Sequence, residues 1–115
     1  MSEKREIRKR LEAAAMQKAK IRDGHLCMKC RKRLSDCGHH VVYKSQSGRL
    51  AYDPDNIIRL CDDCHAEAHS HAFEFITWFE KKYPKRYAFL MTVIKIYGTI
   101  TLDELGAARE KIKAY

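Results

Sequence analysis

The chain contains no run of 18 or more apolar residues, so no membrane-spanning helix is expected from it. Its opening, MSEKREIRKR, is charged from the third residue and has no apolar core behind it, which is not the form of a secretory signal peptide. There is no internal repeat, no low-complexity tract and no Gly/Ser-rich linker. These absences predict a cytoplasmic protein, no membrane partner, and cysteines kept as reduced thiols.

What remains is a chain of 115 residues, enough for one small domain with a helical extension. A domain of this size buries a modest share of its surface, so a structural metal would add stability. The net charge of +8 is unevenly spread. Residues 1–22 carry eight Lys/Arg against three Glu, residues 23–70 seven of each sign, and residues 71–115 eight positive against five negative. Basic flanks around a neutral centre favour a polyanionic partner, most simply DNA, through phosphate contacts and counterion release. A solvated basic surface is the competing explanation, and charge alone does not separate the two.

Residues 2–22 are predicted helical, rich in Ala, Leu, Met, Lys and Arg, with Ile7, Leu11, Ala14 or Ala15, and Lys18 on one face and Asp23-Gly24 as the stop. Arg5, Arg8 and Lys9 make this arm a candidate nucleic-acid contact. In HHVVYKSQSGRLAYDPDNIIRL, Val41, Val42 and Tyr43 favour one strand and Ile57 and Ile58 another, around a loop of turn formers. From Asp62 to about Ser70 the pattern is helical. FEFITWFEKKY, ending at Pro84, and RYAFLMTVIKIYG follow as helices, and Thr101 to Glu104 has the form of a capping box opening a last helix to about Ala114. Phe73, Phe75, Ile76, Trp78, Phe79, Phe89 and Leu90 are expected in the core. The fold class is therefore α+β, divided into a basic helical arm (1–24), a Cys/His-rich core (25–70) and a helical extension (71–115).

Cys61, Cys64, His65 and His69 do not form a two-cysteine, two-histidine finger, because His65 follows Cys64 directly and leaves no chain to fold between the pairs. Cys27-x2-Cys30 and Cys61-x2-Cys64, separated by 30 residues, instead suit one closed, structural zinc site. Cys37 is left over, as a partly buried free thiol or as a substitute for one knuckle ligand. His65 and His69 share a helix face one turn apart, and His39-His40 stands on the other side of the predicted hairpin. If the hairpin returns His39 or His40 to that face, about three imidazoles converge on a second site with open positions, the arrangement of a catalytic metal. His25 and His71 are incidental.

The stretch GHHVVYKSQSGRLAYDPDNIIRLCDDCHAEAH, from Gly38 to His69, resembles the HNH endonucleases of the ββα-metal (His-Me finger) kind. The family pattern is a His pair ending a short strand, an Asn in the hairpin loop and one or two His on the next helix, often with paired CxxC knuckles. The match covers about residues 25–70. The resemblance implies a ββα-metal core with zinc knuckles, and DNA phosphodiester hydrolysis leaving a 5′-phosphate. It implies that His40 is the general base, that Asn56 pins the hairpin loop, and that His39 and His65 bind the catalytic ion. His69 is then either a third ligand or a phosphate contact. Imidazole ligands suit Mn, Ni, Zn or Co better than Mg, which prefers oxygen. Lys44, Arg49 and Arg59 lie near enough in sequence to reach phosphates. The layout with its helical tail also resembles phage recombination nucleases of the NinG/Rap kind. One such site cuts one strand, so a double-strand cut would need a homodimer or two events. Two other functions stay open: a non-catalytic zinc module that binds nucleic acid, and a subunit active only with a phage protein partner. The module would not need His39, His40, Asn56 and His65 together.

Overall fold

The computed structural model describes residues 2–96, and the capping box at Thr101 and the helix expected after it lie outside them. The first element is a long helix, α1 (Glu3–Asp23). Ser2 caps it by accepting the Arg5 amide, acidic Glu3 and Glu6 sit in its first turn, and Lys20 and Arg22 in its last, all favourable to the helix dipole. Gly24 stops it at φ +78°, where its amide turns back to the Lys20 carbonyl. Leu11, Ala15 and Ala19 form its buried stripe. Two alanines there let the helix axis approach the hairpin closely.

The sheet is a two-stranded antiparallel hairpin, β1 (Cys37–His40) and β2 (Ile57–Leu60), with His39 opposite Ile58 and His40 opposite Ile57. Paired residues share a face and neighbours alternate. Gly38 and His40 therefore share the α1 side with Ile57, while Cys37 and His39 share the other with Ile58 and Leu60. Contact with α1 is close enough that a Cβ at Gly38 would lie 2.5 Å from Met16 Sδ and 3.0 Å from Ile57 Cγ2, so a larger residue there would have to push the Met16 side chain aside.

The strand expected at Val41 to Tyr43 lies earlier, at residues 37–40. Asn56 is the reason. Its carbonyl accepts the Val41 amide and its side chain takes both the amide and the carbonyl of Val42, so the chain leaves the ladder there without leaving polar groups unpaired. The loop between the strands is folded into two 3₁₀ turns, Arg49–Tyr52 and Pro54–Asn56, the second capped by the Asp53 side chain.

After β2 come α2 (Asp62–Ser70), α3 (Ala72–Lys82) and α4 (Pro84–Ile96). Cys61 is the N-cap of α2, its Sγ accepting the Cys64 amide. Pro84 opens α4, where its missing amide costs nothing. The β-branched run in α4 is helical because Leu90 and Val93 are buried against α3, and that packing outweighs local propensity. Phe75 and Phe79 are core residues of α3, with Ile76 and Trp78 packed beside them. Phe73 and Phe89 are not: they are 80% and 38% exposed, on the outer faces of their helices. Among the described residues no helix is long and apolar enough to cross a membrane.

Candidate active site and metal centres

Cys27, Cys30, Cys61 and Cys64 bring their sulfurs within 4.8 Å of one another. The first pair comes from a tight knuckle in which Arg31 has φ +59° and donates its amide to the Cys27 carbonyl, and the Cys27 amide donates to Arg33. The Met28 amide donates to the Arg59 carbonyl, fastening the knuckle to β2. Backbone amides of Lys32 and Arg33 pull the Cys30 thiol down to about 6. Burial works against ionisation of Cys27, yet amides from Cys30, Cys61 and Lys29 bring it below its ordinary value. Burial and the neighbouring cysteines push Cys64 up. Four sulfurs so close, some favoured as thiolates and one disfavoured, fit a divalent ion that removes the conflict. A closed set of four thiolates suits a structural zinc. Cys37 stays outside the cluster, half-buried, its Sγ 3.5 Å from the Leu60 carbonyl and its thiol raised by burial.

On the same side of the hairpin, His39 meets His65 and His69 of α2. Their ligand nitrogens also lie within 4.8 Å of one another. Ring centroids are 5.1 Å apart for His39–His65, 5.0 Å for His39–His69 and 4.8 Å for His65–His69. The Nε2 atoms of His65 and His69 are 3.2 Å apart. Two imidazole nitrogens on a tetrahedral zinc-sized ion sit about 3.3 Å apart, so the pair already has that spacing. His39 is 2% exposed and rests edge-on against Phe75 at 4.9 Å. Burial first, then the nearby His65 and His69, hold it down to about 3, and burial lowers His65 as well. Burial thus favours the neutral form of His39 and His65, the form that binds metal. Three nitrogen ligands leave room for water or substrate. A cleft of about 190 Å³, lined by Gly38, His39, His40, Tyr43, Lys44, His65 and His69, opens there. The cluster therefore fits an exchangeable transition-metal ion.

His40 points to the α1 side of the hairpin but still lines this cleft. Its Nε2 lies 3.1 Å from the Ala51 carbonyl oxygen. A carbonyl only accepts, so Nε2 carries the proton and Nδ1 keeps a lone pair. Burial lowers the His40 pKa, opposed by the Ala51 carbonyl and by Glu12. Asn56 is fully buried, and its amide also donates to Leu50 O at 3.1 Å, one residue before the Ala51 carbonyl that holds His40. One side chain thus links β1's end, the 3₁₀ turn and β2.

Residues 27–71 match the HNH endonuclease family model. No curated protein and no solved structure matches the chain. The matched span opens on Cys27 and closes after His69, so it includes both clusters, His40 and Asn56.

The cations distribute unevenly around the histidine cleft. Lys44 is on its rim, with Nζ 2.8 Å from Glu12 of α1. Arg59 is not there: its amide is held by Asp23 and its guanidinium reaches the Ser35 carbonyl at 3.4 Å, beside the knuckle. Arg49 starts the first 3₁₀ turn, half-buried. Arg5 and Lys9 are exposed on α1, and Arg8 is half-buried near Tyr52.

Several contributors carried no signal in the sequence. Arg22 donates to the carbonyls of Pro54 and Ile57, and Arg86 to those of Asp55 and Ile57, so two distant arginines satisfy the backbone of the loop that ends at Asn56. The Arg86 guanidinium lies 5.3 Å from the Phe79 ring centre and 4.9 Å from that of Tyr83. Glu12 and Tyr43 also reach the cleft. All four act across the chain, and local spacing does not reveal them.

Proposed function

We propose that the protein is a metal-dependent HNH endonuclease that hydrolyses DNA phosphodiester bonds. The observation that carries this reading is one cleft shared by three metal-fit imidazoles and a fourth histidine, His40, whose Nδ1 lone pair is free. A four-cysteine zinc module would need the first cluster but neither the open histidine set nor a histidine locked in one tautomer.

His39, His65 and His69 would hold the ion, which when bound would stabilise negative charge on the scissile phosphate and the leaving 3′-oxygen. His40 would take a proton at Nδ1 from the attacking water, while the Ala51 carbonyl fixes its ring. Asn56 would keep that carbonyl in place through Leu50 and Val42. Lys44, at the rim, and Arg5, Arg8 and Lys9 along α1 would contact phosphates. One cleft per chain supports nicking, and a homodimer would make double-strand cuts. A small basic nuclease of this layout would suit phage DNA recombination, packaging or processing.

The test is nicking of supercoiled plasmid with added Mn, Ni, Mg or EDTA, using wild type and His40→Ala in parallel. Metal-dependent nicking that falls by about 100-fold or more in a folded His40→Ala protein is the expected result. Zinc-loaded protein that retains DNA yet nicks under no ion would point to the binding module. Equal nicking by both proteins would remove His40 as the base.

A further inference from the structure

We propose that Tyr43 is the positioning residue that makes His69 a metal ligand, by holding its ring in the orientation that turns Nε2 towards His39 and His65. The proposal rests on reading the three-histidine cluster as a metal site.

The three imidazoles are not held alike. His39 is buried on a strand and fixed by its packing against Phe75. His65 lies in the second turn of α2 and is half-buried. His69 is in the last turn and exposed. An exposed side chain gives up rotamer freedom when it joins a site, and something must offset that loss.

Tyr43 is placed to do so. Its backbone is set by a turn: its carbonyl accepts the amides of Gln46 at 2.8 Å and Ser47 at 3.1 Å, and its own amide donates to Gln46 Oε1 at 3.1 Å. The ring stacks on His69, with centroids 5.6 Å apart and planes at 27°, and meets His39 edge-on at 6.1 Å. Its hydroxyl is 3.4 Å from His69 Nδ1, on the side of the ring away from the Nε2 that faces His65 at 3.2 Å. A neutral imidazole has one N–H and one lone pair. When an ion takes the Nε2 lone pair, Nδ1 carries the proton, and the phenol oxygen stands ready to accept it. The stacking and the hydroxyl contact on the Nδ1 side therefore set the ring's direction, with Nε2 turned to the other two imidazoles.

The test is a titration of Co²⁺ into the zinc-loaded protein, following the visible bands of imidazole-bound cobalt and its dissociation constant by chelator competition. It compares wild type, Tyr43→Phe, His69→Ala and the double variant. Tyr43→Phe keeps the stacked ring and removes only the hydroxyl, so the fold is retained, checked by one tightly held zinc per chain. The expected result is cobalt bound about tenfold or more weakly by Tyr43→Phe, with no further loss when it is added to His69→Ala. A change under about twofold in Tyr43→Phe, or an equal loss in the His69→Ala background, would overturn the role of Tyr43 while leaving the metal site intact. Wild-type protein that binds no second ion would overturn the metal site itself, and the Tyr43 proposal with it.

Discussion

The cysteine cluster and the histidine cluster sit on one short hairpin-helix unit and share α2, yet they are built on opposite terms. The cysteines come from two turns rich in backbone amides, with Cys27 and Cys61 sealed from solvent and four sulfurs within 4.8 Å of one another, enough to saturate a zinc ion. The histidines run from a buried His39 to an exposed His69 and stop at three, beside a cleft. A saturated soft-ligand site fastens chain segments together, whereas an unsaturated imidazole site leaves a position to be used. Proximity of the two is economical: α2 starts from the first and presents His65 and His69, one and two turns on, to the second.

The sharpest way to break this contrast is to remove one ligand from each side. Cys61→Ala should lose the folded state, because about 10 kcal/mol of zinc binding is folding free energy in small metal-dependent modules. The expected readings are absent zinc, lost helical circular dichroism and no cooperative melting. His65→Ala should instead keep the zinc and the melting transition within a few degrees, about 1 kcal/mol, and lose only the exchangeable ion. If His65→Ala unfolded the protein as Cys61→Ala does, the histidine cluster would be structural too.

Asn56 tests the join between the two. Its side chain makes three hydrogen bonds in full burial, to Val42 N, Val42 O and Leu50 O. Asn56→Ala orphans those groups and should cost about 2–4 kcal/mol in urea unfolding, with zinc still bound. A loss below about 1 kcal/mol would mean that the loop is held elsewhere, by Arg22 and Arg86.

The smallest expected effect is in pH. Burial sets the His40 pKa below its ordinary 6.5, and the base must be neutral to accept a proton. Nicking should therefore persist as pH falls through 6.5 and fail only below it, at the lowered pKa. His39, held down to about 3, adds no loss in that window. A profile of kcat/KM from about pH 5 to 8, at saturating metal, reads this directly. An acid limb centred at 7 or higher would show that another group, or an imidazolium-stabilised His40, controls the rate.

Much of this centre was readable along the chain. The paired CxxC spacing marked the sulfur cluster, and His65 and His69 four apart marked one helix face. The helical pattern from Asp62 to about Ser70 matched α2. The misplaced strand shows the limit. Val41 and Val42 have strand propensity, but a buried asparagine 14 positions away replaces their ladder. Phe73 and Phe89 have core composition, but their helix faces look outward. Arg59 has the charge of a phosphate contact, yet its guanidinium turns to the Ser35 carbonyl rather than to the histidine cleft.

By itself the sequence determined which atoms could bind metal and which could take a proton, because ligand chemistry belongs to residue types and short spacings. Only the tertiary structure decided that His39 faces α2 while His40 faces α1. Adjacent residues on a strand must point to opposite faces, and which face is which depends on the register with β2 and on the helices packed against it. Only the folded chain, likewise, brought Glu12, Arg22, Tyr43 and Arg86 to one hairpin. Contacts between residues more than a dozen positions apart follow from packing, which no local pattern encodes.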